Sequence, residues 1–287
     1  MRNAPERIPF YVIDAFTNKP FTGNPAAVCI IKKQYEDRVL QSIAAEFNLS
    51  ETAFLLEPTK KPIEDAQYFS LRWFTPTTEV PLCGHATLAT AAVLFHEIDI
   101  HTPRVTFDTR SGELTATREQ DCICLNFPSA KTEPIRPNQN LLRKMGIIDY
   151  DDACLAKTLK DLLIRLKNEE TLVDLEPNFD GMKSISTPED INGVIVTAKG
   201  QPPYDFLSRV FVPWLGINED PVTGAAHTIL APYWSSILGK KEMSAYQASS
   251  RGGELKVRVH ETGRVDLIGR AIFMSTGELN LYENAHA

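Results

Sequence analysis

The chain is poor in the features that mark several functional classes. Its 287 residues hold five cysteines, an odd set without the paired spacing of a zinc site or a secreted disulfide scaffold. Basic runs stop at pairs such as Lys32-Lys33 and Lys240-Lys241, and 30 Lys and Arg face 37 Asp and Glu. A nucleic-acid surface needs a basic stripe, so no nucleic-acid partner is expected. The longest mostly apolar stretch, 86–95, is too short to span a bilayer, and the first residues carry no cleavable signal pattern. A cytoplasmic protein without a membrane partner is the expectation. G-x-G-x-x-G, P-loop, G-x-S-x-G and H-E-x-x-H motifs are absent and the six histidines are scattered. Nothing therefore asks for a nucleotide, a metal, another cofactor or an acyl-enzyme.

What the chain does contain is an internal repeat. Arg72, Phe74 and Pro76, followed by Glu79, Pro81 and Gly84, spell R-x-F-x-P…E-x-P-x-x-G. Arg209, Phe211 and Pro213, followed by Glu219, Pro221 and Gly224, spell it again with three extra residues in the gap. Ser111–Leu114 is answered by Gly252–Leu255. A repeat near half the chain length implies a duplicated, two-lobed protein. After each glycine comes a helical stretch, 84–96 and 224–239, that is apolar almost all round and so belongs inside a core. Pro232 should kink the second. Strands are expected at 7–15, 28–32, 52–56, 67–74, 105–109, 113–118 and 122–126, and again at 161–166, 193–198, 205–212, 255–259 and 265–268. Residues 34–47 read as an amphipathic helix, 169–175 onward as another, and 128–137 as a linker.

Helix starts at Gly84 and Gly224 present free N–H groups and positive dipole ends, suited to a carboxylate or phosphate; each glycine could equally serve only a tight turn. His85 stands in the first turn, where that positive end disfavours imidazolium, so a neutral ring is expected; a structural histidine is the alternative. Asp220, opposite Val80 in the repeat, is either a ligand-holding acid or a helix cap. Glu51 opens an apolar strand, where burial would suit a general base; a solvated turn carboxylate is the plain alternative. Cys83 is either an activated helix-end thiol or a small buried hydrophobe. The repeat puts Thr223 at the matching place, which disfavours a two-thiol racemase.

These blocks bring a family into view. Residues 14–26, 48–54 (N-L-S-E-T-A-F), 83–87 (C-G-H-A-T), 219–224 (E-D-P-V-T-G) and 250–255 (S-R-G-G-E-L) resemble the signature blocks of the PhzF family, and cover nearly the whole chain. The surroundings at 73–76 and 232–234 are similar to those of animal phenazine-biosynthesis-like domain proteins. The resemblance implies an α+β, diaminopimelate-epimerase-like fold. In it, two pseudo-symmetric lobes each wrap a curved sheet around a central buried helix, with an active-site cleft between them. Lobe boundaries are expected at 1–127, completed by 272–287, and 128–271. The resemblance also implies a cofactor-independent isomerase, EC 5-type, with Glu51 as general acid/base and His85 and Asp220 as catalytic partners. Substrate-binding residues would be Asn24, Ser50, Cys83, Gly84, Thr223, Gly224, Ala225, Arg251 and Gly252. The family pattern reads T-G-S where this chain has Thr223-Gly224-Ala225, which removes a hydroxyl and keeps a backbone N–H. A small carboxylate substrate and a homodimer are implied, and by resemblance alone a WD-repeat protein partner (MAWD type). Two other readings stand beside this one: a non-catalytic interaction protein, and a one-thiol racemase or epimerase using Cys83.

Overall fold

A computed structural model describes residues 5–186 and 190–282. In chain order the elements are β1 (Glu6–Ala15), β2 (Asn24–Ile31), α1 (Asp37–Phe47), β3 (Glu51–Leu56), β4 (Tyr68–Phe74), β5 (Glu79–Val80), α2 (Gly84–Ala92), β6 (Arg104–Thr109), β7 (Gly112–Glu119) and β8 (Cys122–Pro128). There follow β9 (Glu133–Pro134), α3 (Gln139–Met145), β10 (Asp152–Ala156), β11 (Asp161–Arg165), α4 (Glu169–Val173), α5 (Phe179–Lys183), β12 (Gly193–Lys199), β13 (Phe206–Val212) and β14 (Ile217–Asp220). The chain ends with α6 (Gly224–Leu238), β15 (Glu242–Gln247), β16 (Gly253–Val259), β17 (Arg264–Gly269) and β18 (Ala271–Leu281). It divides into two compact units, 1–126 with 268–287 and 127–267. Of the C-terminal segment expected to complete the first lobe, 283–287 lie outside the described residues.

The duplication is written in the strand pairing. In the first unit β1–β2 is antiparallel, β2–β3 parallel, β3–β4 antiparallel, β4–β6 parallel and β6–β7 antiparallel, with β5 folded back on β4. The second unit runs the same senses through β10–β11, β11–β12, β12–β13, β13–β15 and β15–β16, with β14 folded back on β13. Register fixes equivalent positions: Thr52 pairs with Phe74 and Val194 with Phe211, so Glu51 corresponds to Gly193.

Each unit holds one buried helix. All nine residues of α2 are buried, and it packs against β1, β2 and β3. Its alanines let the strands come close. Its threonine hydroxyls find partners without leaving the helix, Thr87 donating to the Cys83 carbonyl at 2.5 Å and Thr90 to that of Ala86 at 2.7 Å. In α6, which packs on β15 and β16, Pro232 removes the N–H that would bond the Thr228 carbonyl. The Ala130 N–H takes that carbonyl instead, at 3.2 Å, and the helix runs on to Leu238.

The repeated R-x-F…E motif is a clamp across the two matching hairpins. Arg72 binds both Glu79 oxygens at 2.8 and 2.7 Å, and Arg209 both Glu219 oxygens at 2.8 and 3.0 Å. Each guanidinium lies 5.0 Å from the centre of a phenylalanine ring, Phe74 or Phe211. Ser111 and Ser249 repeat a further bond, donating to the carbonyls of Pro81 and Pro221 at 2.7 and 2.8 Å.

Every expected strand is present; β5, β9, β10, β14, β15 and β18 were not anticipated. The helix expected from 169 is two short helices, α4 and α5, and part of the expected linker forms β9. β5, β9 and β14 are too short, and β18 too exposed, to carry the alternation that identifies other strands.

Candidate active site

Three chain segments build the centre of the first unit. The turn at 16–23 delivers Asn24. Buried Asp14 accepts the Phe21 N–H at 3.0 Å. Gly23 has φ +72°, and a Cβ there would lie 2.3 Å from the Ala15 carbonyl, so glycine is required. Asn48 delivers Glu51: in the left-handed region at φ 50°, it ends α1 with its N–H on the Ala44 carbonyl, and β3 starts three residues later. Glu51 pairs in register with Ala26, two residues from Asn24, so both side chains share a face. The third segment is the start of α2, where Cys83 is the N-cap and His85 the second helical residue.

Their side chains converge. The Glu51 Oε2 lies 3.0 Å from the His85 Nε2, the Cys83 Sγ 3.5 Å from the His85 Nδ1, and the Asn24 Nδ2 3.1 Å from the same Nδ1. Asn24, Cys83 and His85 are buried, and the Glu51 side chain is 15% exposed. The Glu51–His85 contact is close, yet neither atom has an aligned hydrogen-bond partner in the structure. It is an ion-pair contact off the hydrogen-bond line. Burial works against a charged His85, but Cys83, when ionised, and the Glu51 carboxylate act the other way, and its pKa lies well above the usual histidine value. This corrects the expectation of a neutral ring. A carboxylate at 3.0 Å attracts imidazolium by about 5 kcal/mol at an effective dielectric constant near 20, whereas a helix end repels it by about 2 kcal/mol at most. Burial, with the Glu51 charge second, pushes the Cys83 thiol up to about 11, so it stays protonated at neutral pH.

The second unit gathers another group of the expected residues. Asp220 ends β14 and accepts the Thr223 hydroxyl at 2.5 Å. It does not cap α6, whose N-cap is Thr223, so the capping reading is set aside. Buried Gln247 organises this corner: its Oε1 accepts the Thr223 N–H at 2.9 Å, and its Nε2 donates to the Asp220 carbonyl at 2.7 Å and to the Thr223 Oγ1 at 3.2 Å. Gln247 was not anticipated, because β15 was not; the alternation of buried Met243, Ala245 and Gln247 is the signal that locates it. Gly224 and Ala225 open α6. The Ser249 hydroxyl ties the next turn to the Pro221 carbonyl and accepts the Gly252 N–H at 3.1 Å. Gly252 has φ +66°, and a Cβ there would sit 2.1 Å from the Tyr246 hydroxyl. Arg251, beside it, and Ser50, next to Glu51, are partly exposed.

Comparing equivalent positions separates scaffold from chemistry. Arg72, Phe74, Glu79, Pro81 and Gly84 recur as Arg209, Phe211, Glu219, Pro221 and Gly224. Glu51, Cys83 and His85 become Gly193, Thr223 and Ala225, whereas Val80 becomes Asp220. The acid, the thiol and the imidazole thus stand in one copy only. Thr87 becomes His227, and both serve the carbonyl four residues earlier, His227 Nδ1 lying 2.8 Å from the Thr223 oxygen.

Comparison with known proteins agrees with this architecture. The profile of the PhzC-PhzF family, phenazine biosynthesis-like proteins, matches residues 13–277. The mouse phenazine biosynthesis-like domain-containing protein 1 is 46% identical over 286 residues, covering 95% of this chain and 99% of its own. A Halalkalibacterium halodurans protein named an uncharacterized isomerase is 47% identical over 278 residues, covering 95% of this chain and 98% of its own. Among solved structures, a PhzF-family protein of Enterococcus faecalis superposes with a TM-score of 0.87 at 42% identity, covering 96% of this chain and all of its own. An Agrobacterium vitis hydroxyproline epimerase shares the fold at a TM-score of 0.60 and 12% identity, covering 99% of this chain and 95% of its own. The α+β epimerase-like fold is thereby shown. The chain belongs to the PhzC-PhzF family of phenazine biosynthesis-like proteins.

Proposed function

We propose that the protein is an isomerase that moves a proton between two carbons of a small substrate bearing a carboxylate or amine, with Glu51 as the general acid/base. The observation that carries this reading is the buried Glu51–His85 pair, 3.0 Å apart and off the hydrogen-bond line. A carboxylate used for proton transfer must be held in place without being saturated by donors, and the pair meets that requirement. His85 on its raised pKa supplies a positive charge beside the reacting carbon. N–H groups at the α2 start, with the helix dipole behind them, favour the negative charge that develops when a carbon-bound proton leaves.

Deuterium exchange tests the reading. Cyclic and acyclic amino-carboxylates with a weakly acidic C–H are incubated in heavy water with the wild type and with Glu51→Gln. Incorporation that falls on the order of 100-fold or more in the variant fits loss of a general base. Equal incorporation by both removes Glu51 from the mechanism.

A second reading, Cys83 as proton carrier, is favoured by the 3.5 Å contact between its sulfur and His85. At a pKa of about 11 the thiol serves as a donor, not as the base that starts the reaction. If alkylation of Cys83 abolishes exchange in the wild type while Glu51→Gln leaves it intact, this second reading replaces the first.

A further inference from the structure

The two units differ at the hairpin that leads into the Glu51–His85 centre. In the first, β1 and β2 are joined by residues 16–23; in the second, the matching strands β10 and β11 are joined by 157–160 alone. The longer connection thus stands only in the copy that carries Glu51, Cys83 and His85. Its own bonds shape it. The Thr17 N–H donates to the Arg270 carbonyl at 3.2 Å, the Thr17 and Thr22 hydroxyls bond each other, and the Thr22 hydroxyl donates to the Lys19 carbonyl at 2.9 Å. Phe21 in this turn is 76% exposed with φ 66°, and the buried Asp14 carboxylate holds its N–H at 3.0 Å. We propose that the Phe21 ring covers the apolar part of a substrate bound at the Glu51–His85 centre, which makes amino-carboxylates with an apolar side chain or ring the preferred class. The proposal names the substrate class of the isomerase reading and rests on that reading.

A single exposed apolar residue needs no explanation, but this one is held out on a disfavoured backbone. The left-handed region crowds a bulky L-residue, and glycine would meet the same φ without strain. The turn alone therefore gives no reason for a phenylalanine. Among the described residues, Phe16 and Phe21 are the apolar ones with positive φ. Phe16 is fully buried and fills the core, whereas the exposed ring of Phe21 does not. Strain of this kind gathers at ligand clamps and active sites. Position points to the ligand. Asn24 has its Nδ2 3.1 Å from the His85 Nδ1, and the three residues from Phe21 to Asn24 span at most about 11 Å. The Phe21 Cα is thus no farther than a small ligand's length from the centre's edge. Asn24, Glu51 and His85 supply polar contacts for a carboxylate, an amine and a migrating proton. An aromatic face supplies what they lack, a surface for hydrocarbon.

Phenylglycine and alanine test this, since both carry a C–H beside an amine and a carboxylate and differ in the apolar part. Deuterium exchange is followed against substrate concentration in the wild type and in Phe21→Gly. The variant should raise KM for phenylglycine roughly 3–10-fold, leave KM for alanine and kcat for both near the wild-type values, and unfold at no lower temperature, because glycine relieves the strained φ. Equal changes for the two substrates, or none for phenylglycine, overturn the proposal. A second readout needs no turnover. In protein labelled with 4-fluorophenylalanine, the fluorine resonance of Phe21 is identified by its loss in Phe21→Gly. Phenylglycine should shift it in the wild type and in Glu51→Gln, and alanine should not. A shift in both proteins without exchange in either would keep the cover and remove the isomerase reading. A Phe21 resonance that phenylglycine leaves unmoved up to its solubility limit overturns the proposal, even where Glu51-dependent exchange is found.

Discussion

The duplicated arginine clamp offers a prediction in which one motif has two different costs. Arg209 is 9% exposed. Besides the forked contact with Glu219, its Nη1 donates to the carbonyls of Leu172, Val173 and Leu175 at 3.2, 3.1 and 2.7 Å. The Glu219 side chain is 17% exposed. Arg209→Ala therefore strands a mostly buried carboxylate and removes the arginine partner of three carbonyls at the end of α4, of which that of Leu172 keeps a backbone N–H, a loss of about 3–5 kcal/mol. Arg72 has the same fork, but its side chain is 27% exposed and its second partner, Asp37, lies at the surface. When Arg72 goes, Glu79 keeps Arg110 at 2.6 Å. After allowance for solvent screening, Arg72→Ala costs about 1–2 kcal/mol. Thermal unfolding followed by tryptophan emission measures both, with buried Trp73 reporting the first unit and Trp234 the second. At roughly 2–4 °C per kcal/mol for a unit of this size, Arg209→Ala should lower the second unit's midpoint by about 10 °C, and Arg72→Ala should lower the first by about 5 °C or less. Equal losses, or a larger loss for Arg72→Ala, would refute the reasoning that burial and alternative partners set the cost.

Three further outcomes follow from single residues. Burial pushes Asp161, beside Gly193 on the neighbouring strand, up to about 7. A raised acid pKa contributes stability that is present below the unfolded value near 4 and is lost as pH rises towards 7. Asp161→Asn should thus gain about 2–4 kcal/mol above pH 7 and little near pH 4, read from urea midpoints at the two pH values; a gain independent of pH would contradict this. Burial pushes His227 down to about 4, so its contribution is complete above about 6.5 and declines as pH falls through 4, by about 3 kcal/mol in total. His227→Gln should flatten that acid limb in pH-dependent thermal unfolding, and an unchanged limb would contradict the assignment. Gly252→Ala meets a left-handed φ and the Tyr246 hydroxyl, a loss of about 2–4 kcal/mol. Tyr246→Phe should recover part of it in a double-mutant cycle, and strict additivity would exclude the steric cause.

The architecture was legible where duplication or alternation left a mark. Repetition of Arg72–Gly84 in Arg209–Gly224 announced two copies, and the unbroken apolar character of 84–96 announced a buried helix. The motif's meaning was not legible: its Arg and Glu form a structural clamp, and the chemistry lies where the copies differ. Glu51 could be named from its block, but its nearness to His85 depends on Asn48 stopping α1 and on the β2–β3 register, both tertiary facts. The charge state of His85 was misread because sequence supplies the helix end and not the carboxylate that outweighs it. Gln247 stayed hidden because a polar residue on a strand whose alternation went unread gives no local sign of the helix end it serves.

The central claim is that a buried carboxylate keeps the imidazole at the start of α2 charged, so that the pair can exchange a proton with substrate. Nitrogen-15 resonances of the His85 ring, followed through a pH titration of the wild type and of Glu51→Gln, test it most directly. The account predicts an imidazolium signal that persists through neutral pH in the wild type and gives way to a neutral ring at lower pH in the variant. A His85 ring already neutral at pH 7 in the wild type, or one that titrates identically in both proteins, would contradict it.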